Sequence, residues 1–336
     1  MGLLSGVFLT ALGGALTGSF AAPMKFSKEW AWENFWLLYS VIGLLCIPLA
    51  TALFSVPGLA DVYRCAGATA LALTVFFGLG WGIGSVLLGI GIDMLGISLG
   101  FPIILGLTSV LGALIPLIVL SPQALQSVRG ANVLISLVIV VFGTILCAKA
   151  GGMKSSSSEA RSLPRSRYRS GLLICIGSGV FNSMLNLALA FGTPIAKAAT
   201  QSGANGAAAQ NAIWALAVSA GSLANIGYSL FLLFLNKTWH AFRASASATN
   251  LLLATVMGVL WMAGVTVYGR GAAALGDLGA VVGWPLFMSM IIVTGNVWGF
   301  LTGEWKQAPR LAWRVNLTGV GVLIAAIAII SIGGSL

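Results

Sequence analysis

Acidic residues are nearly missing from this sequence: Asp and Glu together number 7 in 336 residues, and there is 1 His. Hydrolytic and metal chemistry needs acids, His or Cys gathered at ligand or relay spacing, and that scarcity removes the means for it. His240 has no such residues at ligand spacing, so neither a metal centre nor a nucleophilic triad is indicated and no enzyme is expected. The cysteines Cys46, Cys65, Cys147 and Cys175 stand in or beside apolar stretches without paired spacing, which excludes a disulfide framework and a zinc site. Glycine-rich stretches such as GLGWGIG (78–84) lack the preceding strand and the Lys-Ser/Thr of a phosphate loop, and no cofactor is implied. Charge of either sign makes up only 7% of the chain, and no polar segment is long enough for a soluble domain.

What remains is apolar. Hydrophobic residues make up 58% of the chain and the mean hydropathy is +1.01, outside the range of soluble domains. Runs of the roughly 20 residues that a bilayer crossing requires recur along the whole length. They fall at about 3–22, 34–55, 67–91, 97–120, 132–149, 171–191, 208–235, 250–268, 279–301 and 315–333. An all-α integral membrane protein with ten transmembrane helices follows, with the lipid bilayer as its solvent. The first run has no basic residue ahead of it, since the first Lys is Lys25, so it reads as a retained helix rather than a secretory signal.

One stretch breaks the pattern. GGMKSSSSEARSLPRSRYRS (151–170) is basic and Ser-rich, and reads as a linker between two halves, 1–150 and 171–336. The halves echo one another. WGIGSVLLGIGIDMLG (81–96) aligns without a gap to WMAGVTVYGRGAAALG (261–276), matching Trp81 with Trp261, Gly84 with Gly264, Gly89 with Gly269 and Gly91 with Gly271. FAAP (20–23) is echoed by FGTP (191–194), and GFP (100–102) by GWP (283–285), with Gly112 and Gly295 at equal distance beyond. With five helices in each half, the second must cross the membrane in the opposite sense. The expected architecture is therefore two inverted five-helix repeats, a build that gives transporters two access states.

The basic residues orient it. With the N-terminus outside, all but four of the 17 Lys and Arg (Arg64, Arg129, Lys197 and Arg270) fall on the cytoplasmic side. Both termini are then periplasmic and the linker is cytoplasmic. The net charge of +10 is explained by this asymmetry, so no nucleic-acid partner is invoked, and nothing specifies a homo-oligomer.

Several of these motifs resemble a known family. KEWAWENFW (28–36), WGIG followed by LGISLG (81–84 and 95–100) and GEW (303–305) look like the bacterial L-rhamnose:proton symporters of the drug/metabolite transporter superfamily. The Phe-x-x-Pro end of the first run, Asn225-Ile226-Gly227-Tyr228, and Trp284 with Met288-Ser289 extend the likeness over the whole chain. The resemblance implies uptake of L-rhamnose or a related deoxyhexose, with a proton, across the bacterial inner membrane. An exporter or exchanger of another small metabolite or drug would share the fold.

A neutral sugar needs uncharged hydrogen-bonding groups and aromatic faces for its C–H surfaces. Asn182 and Asn186 share one helix face by their i, i+4 spacing, and so do Trp81 and Ser85, with Trp261 at the repeat-related position. Asn225 with Tyr228, and Ser289 with Asn296, add further pairs one and two turns apart. These nine are the candidate sugar ligands. Trp30, Trp32 and Trp36, beside Lys25 and Lys28, read instead as an interfacial belt. For the proton, Glu33 begins the second run partly out of water, and Glu304 is the weaker candidate.

Overall fold

The computed structural model describes residues 3–95, 97–155, 165–206, 208–303, 305–306 and 308–333, and all regular structure among them is helical. The first half runs α1 (Leu3–Ser19), a 3-10 turn (Ala22–Phe26), and α2 (Trp32–Tyr39), which passes through a π turn (Ser40–Cys46) into α3 (Ile47–Ser55). The short α4 (Leu59–Ala66), then α5 (Ala68–Leu95), α6 (Ile97–Leu120) and α7 (Val128–Ser155), complete it. The second half runs α8 (Arg165–Phe191), the short α9 (Thr193–Gln201), α10 (Gln210–Asn236), α11 (Ser247–Ala274), α12 (Gly279–Leu301) and α13 (Arg310–Gly333). Among the described residues, 10 segments are long and apolar enough to cross a membrane, α2 and α3 forming one of them. This is a multi-pass membrane protein.

The helices run further than composition suggests. α7 continues to Ser155 and α8 already begins at Arg165, so much of the polar 151–170 stretch is helical and only 156–164 lies outside the described residues. Polarity marks where a helix leaves hydrocarbon, not where its hydrogen bonds end.

Contacts between helices follow a simple rule. α5 lies against α8 and α10, and α1 lies against α11 and α12; α6 meets α8 and α12, and α7 meets α13. The α2–α3 span in turn meets α11, and exchanging α1 with α8, the α2–α3 span with α10, α5 with α11, α6 with α12 and α7 with α13 maps this set of neighbours onto itself. Two of these contacts depend on glycine. A Cβ on Gly82 would sit 2.2 Å from the carbonyl oxygen of Gly221, and one on Gly43 would sit 2.5 Å from the Cα of Gly258. Without hydrocarbon repelling one helix toward another, close backbone approach of this kind is what gains van der Waals contact in a bilayer. Gly43 also lies within the π turn through which α2 passes into α3.

Large apolar side chains such as Phe8, Phe54, Val138, Leu173, Phe234 and Leu301 point away from the bundle, as lipid-facing residues do. Some hydroxyls inside the helices are satisfied by their own backbone: Thr10, Thr74 and Thr144 each donate to the carbonyl four residues earlier.

Candidate binding cavity

A cavity of about 990 Å³ penetrates the bundle from one end, where α1, α5, α7, α10 and α12 finish and α2 and α6 begin. That volume is at the upper end of small-molecule sites. The opposite end is shut. There α4 packs on α9, Tyr63 donates to the Ala212 carbonyl at 2.9 Å, Asn211 Nδ2 to Ser55 Oγ at 2.9 Å, and Ser202 to the Pro57 carbonyl at 2.7 Å. Below this clasp, Tyr268 donates to Asn186 Oδ1, while Asn186 Nδ2 reaches the carbonyls of Gly112 at 2.8 Å and Ala280 at 2.9 Å. Trp284 donates to the Thr108 carbonyl at 2.8 Å. Four helices, α6, α8, α11 and α12, are tied together by these bonds.

Part of the cavity wall is aromatic. Trp32 and Trp36, one turn apart on α2, stack with ring centroids 4.9 Å apart and 18° between their planes. Tyr228 of α10 meets Trp32 edge-on at 6.3 Å. Trp36 Nε1 donates to Asn225 Oδ1 at 3.0 Å, and Ser85 Oγ donates to the same oxygen at 3.0 Å. Across the cavity, Trp298 Nε1 donates to Ser19 Oγ at 2.8 Å, joining α12 to α1, and Asn296 bonds the Ile292 carbonyl of its own helix at 2.9 Å. Leu88, Ile92, Phe101 and Leu105 supply aliphatic and aromatic surface between these groups.

Among the described residues, one carboxylate lines the cavity while being buried. Glu33 is 4% exposed, and its Oε1 accepts from Asn236 Nδ2 at 3.0 Å and from Thr238 Oγ1 at 2.7 Å. Glu33 shares a helix face with Trp36, three residues on, so the acid and the aromatic wall are built from the same two turns of α2. Asp93, by contrast, stands at the mouth with its side chain 81% exposed, 4.0 Å from Arg167.

Comparison with known proteins decides what kind of molecule has this cavity. Residues 2–335 match the family described as L-rhamnose-proton symport protein (RhaT). The chain belongs to that family. Relatives include the L-rhamnose-proton symporter of Mannheimia succiniciproducens, 25% identical over 339 residues that cover 98% of either chain. That of Klebsiella pneumoniae subsp. pneumoniae is 27% identical over 335 residues, 98% of this chain and 97% of its own. The Escherichia coli strain Crooks symporter is 26% identical over the same shares. RhaT proteins are symporters, so this family member is a membrane transporter rather than an enzyme.

In this RhaT-family chain the residues singled out from sequence separate into three groups. Ser85, Tyr228, Asn296 and Glu33 line the cavity, and Asn225, fully buried, stands directly behind the wall. Trp81 and Trp261 lie off the cavity: their rings stack on each other at 5.0 Å and 26°, one turn from Ser85 toward the closed end. Asn186 belongs to the closed-end network, Asn182 folds back on Ser178 of its own helix at 2.9 Å, and Ser289 is buried with its hydroxyl unpartnered. Each of these is an interior polar or aromatic residue, as expected, but an interior position serves helix contact as readily as a cavity. Glu304 lies outside the described residues. Trp32 and Trp36, read as belt residues, are cavity walls instead; the signal that separates them from Trp30 is their i, i+4 spacing on the face that carries Glu33.

Proposed function

We propose that this chain carries L-rhamnose into the cell together with a proton, across the bacterial inner membrane, by alternating access. The observation that carries this reading is one cavity holding a buried carboxylate, an aromatic wall and uncharged hydrogen-bonding groups. A coupled carrier of a neutral sugar needs those three parts within reach of one another. The relatives named L-rhamnose-proton symporters, at 25–27% identity over nearly the whole chain, support it. The predominance of apolar lining suits a deoxyhexose, which has a methyl group where other hexoses have a hydroxymethyl.

Glu33 is the proposed proton carrier. Both of its side-chain donors serve Oε1, so neither occupies Oε2. Asn236 ends α10 and Thr238 stands just beyond it, so a movement of that end relative to α2 changes the carboxylate's partners and can link its charge to the access state.

The halves 1–150 and 171–336 are proposed to be inverted five-helix repeats joined by the 151–170 linker, as in the drug/metabolite transporter superfamily. The exchange of helix neighbours between halves supports this, as does the stacking of the echoed pair Trp81 and Trp261. Periplasmic termini and a cytoplasmic linker are supported by Lys25, Lys149, Arg167, Lys237 and Arg310, which gather at the end where the cavity opens. The cavity then faces the cytoplasm, an inward-open arrangement.

Labelled L-rhamnose uptake by purified protein in liposomes tests the reading. Accumulation under an inward proton gradient, lost when a protonophore collapses that gradient, is the expected result. Absence of uptake under any gradient, in vesicles shown to hold folded protein, would overturn the assignment to rhamnose.

A further inference from the structure

The wall behind the cavity dictates what it presents to a ligand. An indole N–H only donates, so the Asn225 atom facing Trp36 Nε1 at 3.0 Å is its oxygen. That same oxygen takes the Ser85 hydroxyl proton at 3.0 Å. The Asn225 amide nitrogen is directed at backbone carbonyls, Gly221 at 3.2 Å and Gly82 at 3.5 Å, and the side chain is 0% exposed. Two consequences follow. The polar edge of Trp36 is turned into the protein, so its ring meets the cavity as an apolar surface; and Ser85, its proton spent, meets the cavity as an acceptor.

Space stands in front of these groups. Gly89 is one turn beyond Ser85 on the same face of α5, and a Cβ there would meet nothing nearer than Trp32 Cζ2 at 3.9 Å. Any larger side chain would grow into the gap between α5 and the Trp32 ring. That ring is held from behind by its stack on Trp36 and from the side by Tyr228.

We propose that this corner is the sugar subsite: the C–H face of the pyranose lies on Trp32 in the space left by Gly89, one sugar hydroxyl donates to Ser85, and Asn225 is the positioning residue that aims both partners. The inference rests on the reading of the cavity as a rhamnose site and assigns the place within it. Aromatic faces bind a sugar's C–H surface at little conformational cost, and an acceptor whose own proton is committed discriminates for a donating hydroxyl at that height.

Calorimetric binding of L-rhamnose to the detergent-purified full chain, with uptake in liposomes alongside, tests it. Gly89→Val is expected to weaken L-rhamnose binding at least about tenfold by filling the subsite, with helix content and melting temperature retained. Asn225→Ala is expected to raise KM about tenfold while leaving kcat near the wild-type value, because one aimed hydrogen-bonding arrangement is lost. If Asn225 acts through the wall, adding Asn225→Ala to a protein already carrying Trp36→Phe and Ser85→Ala raises KM no further. Undiminished binding by folded Gly89→Val, or full additivity of Asn225→Ala in that background, would overturn the subsite. Wild-type protein that transports L-rhamnose while those variants match it removes this inference alone; wild-type protein that neither binds nor transports L-rhamnose removes the proposed function with it.

Discussion

The two ends of the helix bundle use the same kinds of residue in opposite ways. At the closed end, polar side chains are spent on one another and on backbone carbonyls, within the second half (Tyr268 on Asn186, Asn186 on Ala280) and across the halves (Asn186 on Gly112, Tyr63 on Ala212). At the open end, Ser85, Tyr228 and Asn296 border a cavity, and the buried acid Glu33 is held by the side-chain donors Asn236 and Thr238. The lesson is that polarity inside a membrane protein is not itself a binding site. What distinguishes the ends is hydrogen-bonding capacity left over beside open space.

Between the ends lies the Trp81–Trp261 stack, and removing it should break the comparison most severely. Trp81→Ala leaves Trp261 without its partner at 5.0 Å and opens a void in the centre of the bundle. A loss of about 3 kcal/mol is expected, read as a lowered melting temperature in detergent, with Trp81→Phe losing less. A next-largest effect belongs to the closed end. Tyr268→Phe strands the buried Asn186 oxygen, at about 1–3 kcal/mol. Amide hydrogen exchange should quicken over α9 and the first turns of α10 if that network is the closure; unchanged exchange would show that it is not.

Tyr63 sharpens the contrast with Glu33 through pH. Burial pushes the Tyr63 hydroxyl from its ordinary 10.0 up to about 12, so the folded protein favours its protonated, donating form. Its contribution is therefore complete below pH 10 and is lost only as pH rises toward about 12. Tyr63→Phe should cost about 1 kcal/mol, and by the same amount at pH 6 and pH 8. A pH-dependent difference in melting temperature within that interval would contradict this. The smallest effect is expected at Ser289, buried with no partner: Ser289→Ala should change stability by less than about 0.5 kcal/mol and leave uptake alone.

Much of the fold was legible in the sequence because hydropathy is decided by the solvent. The ten crossings appear where the apolar runs do, and α12 spans Gly279–Leu301 as its run predicts. The cavity was only half legible. Glu33, Ser85, Tyr228 and Asn296 border it, but Trp81, Trp261 and Asn186 pair within the protein instead. Whether an interior ring faces a partner or a void depends on which helix stands opposite, and α5 is set against α10 by Gly82 and Gly221, residues more than 130 positions apart. Trp32 and Trp36 were obscured by Lys25 and Lys28, since a belt tryptophan and a cavity tryptophan have the same neighbours in sequence.

The proposed link between proton and sugar in this cavity runs through Glu33. Its most direct test compares Glu33→Gln with the wild type in liposomes, measuring both accumulation of labelled L-rhamnose under an inward proton gradient and exchange of labelled for unlabelled sugar at equal pH. Glu33→Gln is expected to exchange sugar but never to concentrate it, because a glutamine keeps the shape of the wall and has no proton to carry. Concentration of L-rhamnose by Glu33→Gln to the wild-type level would contradict it.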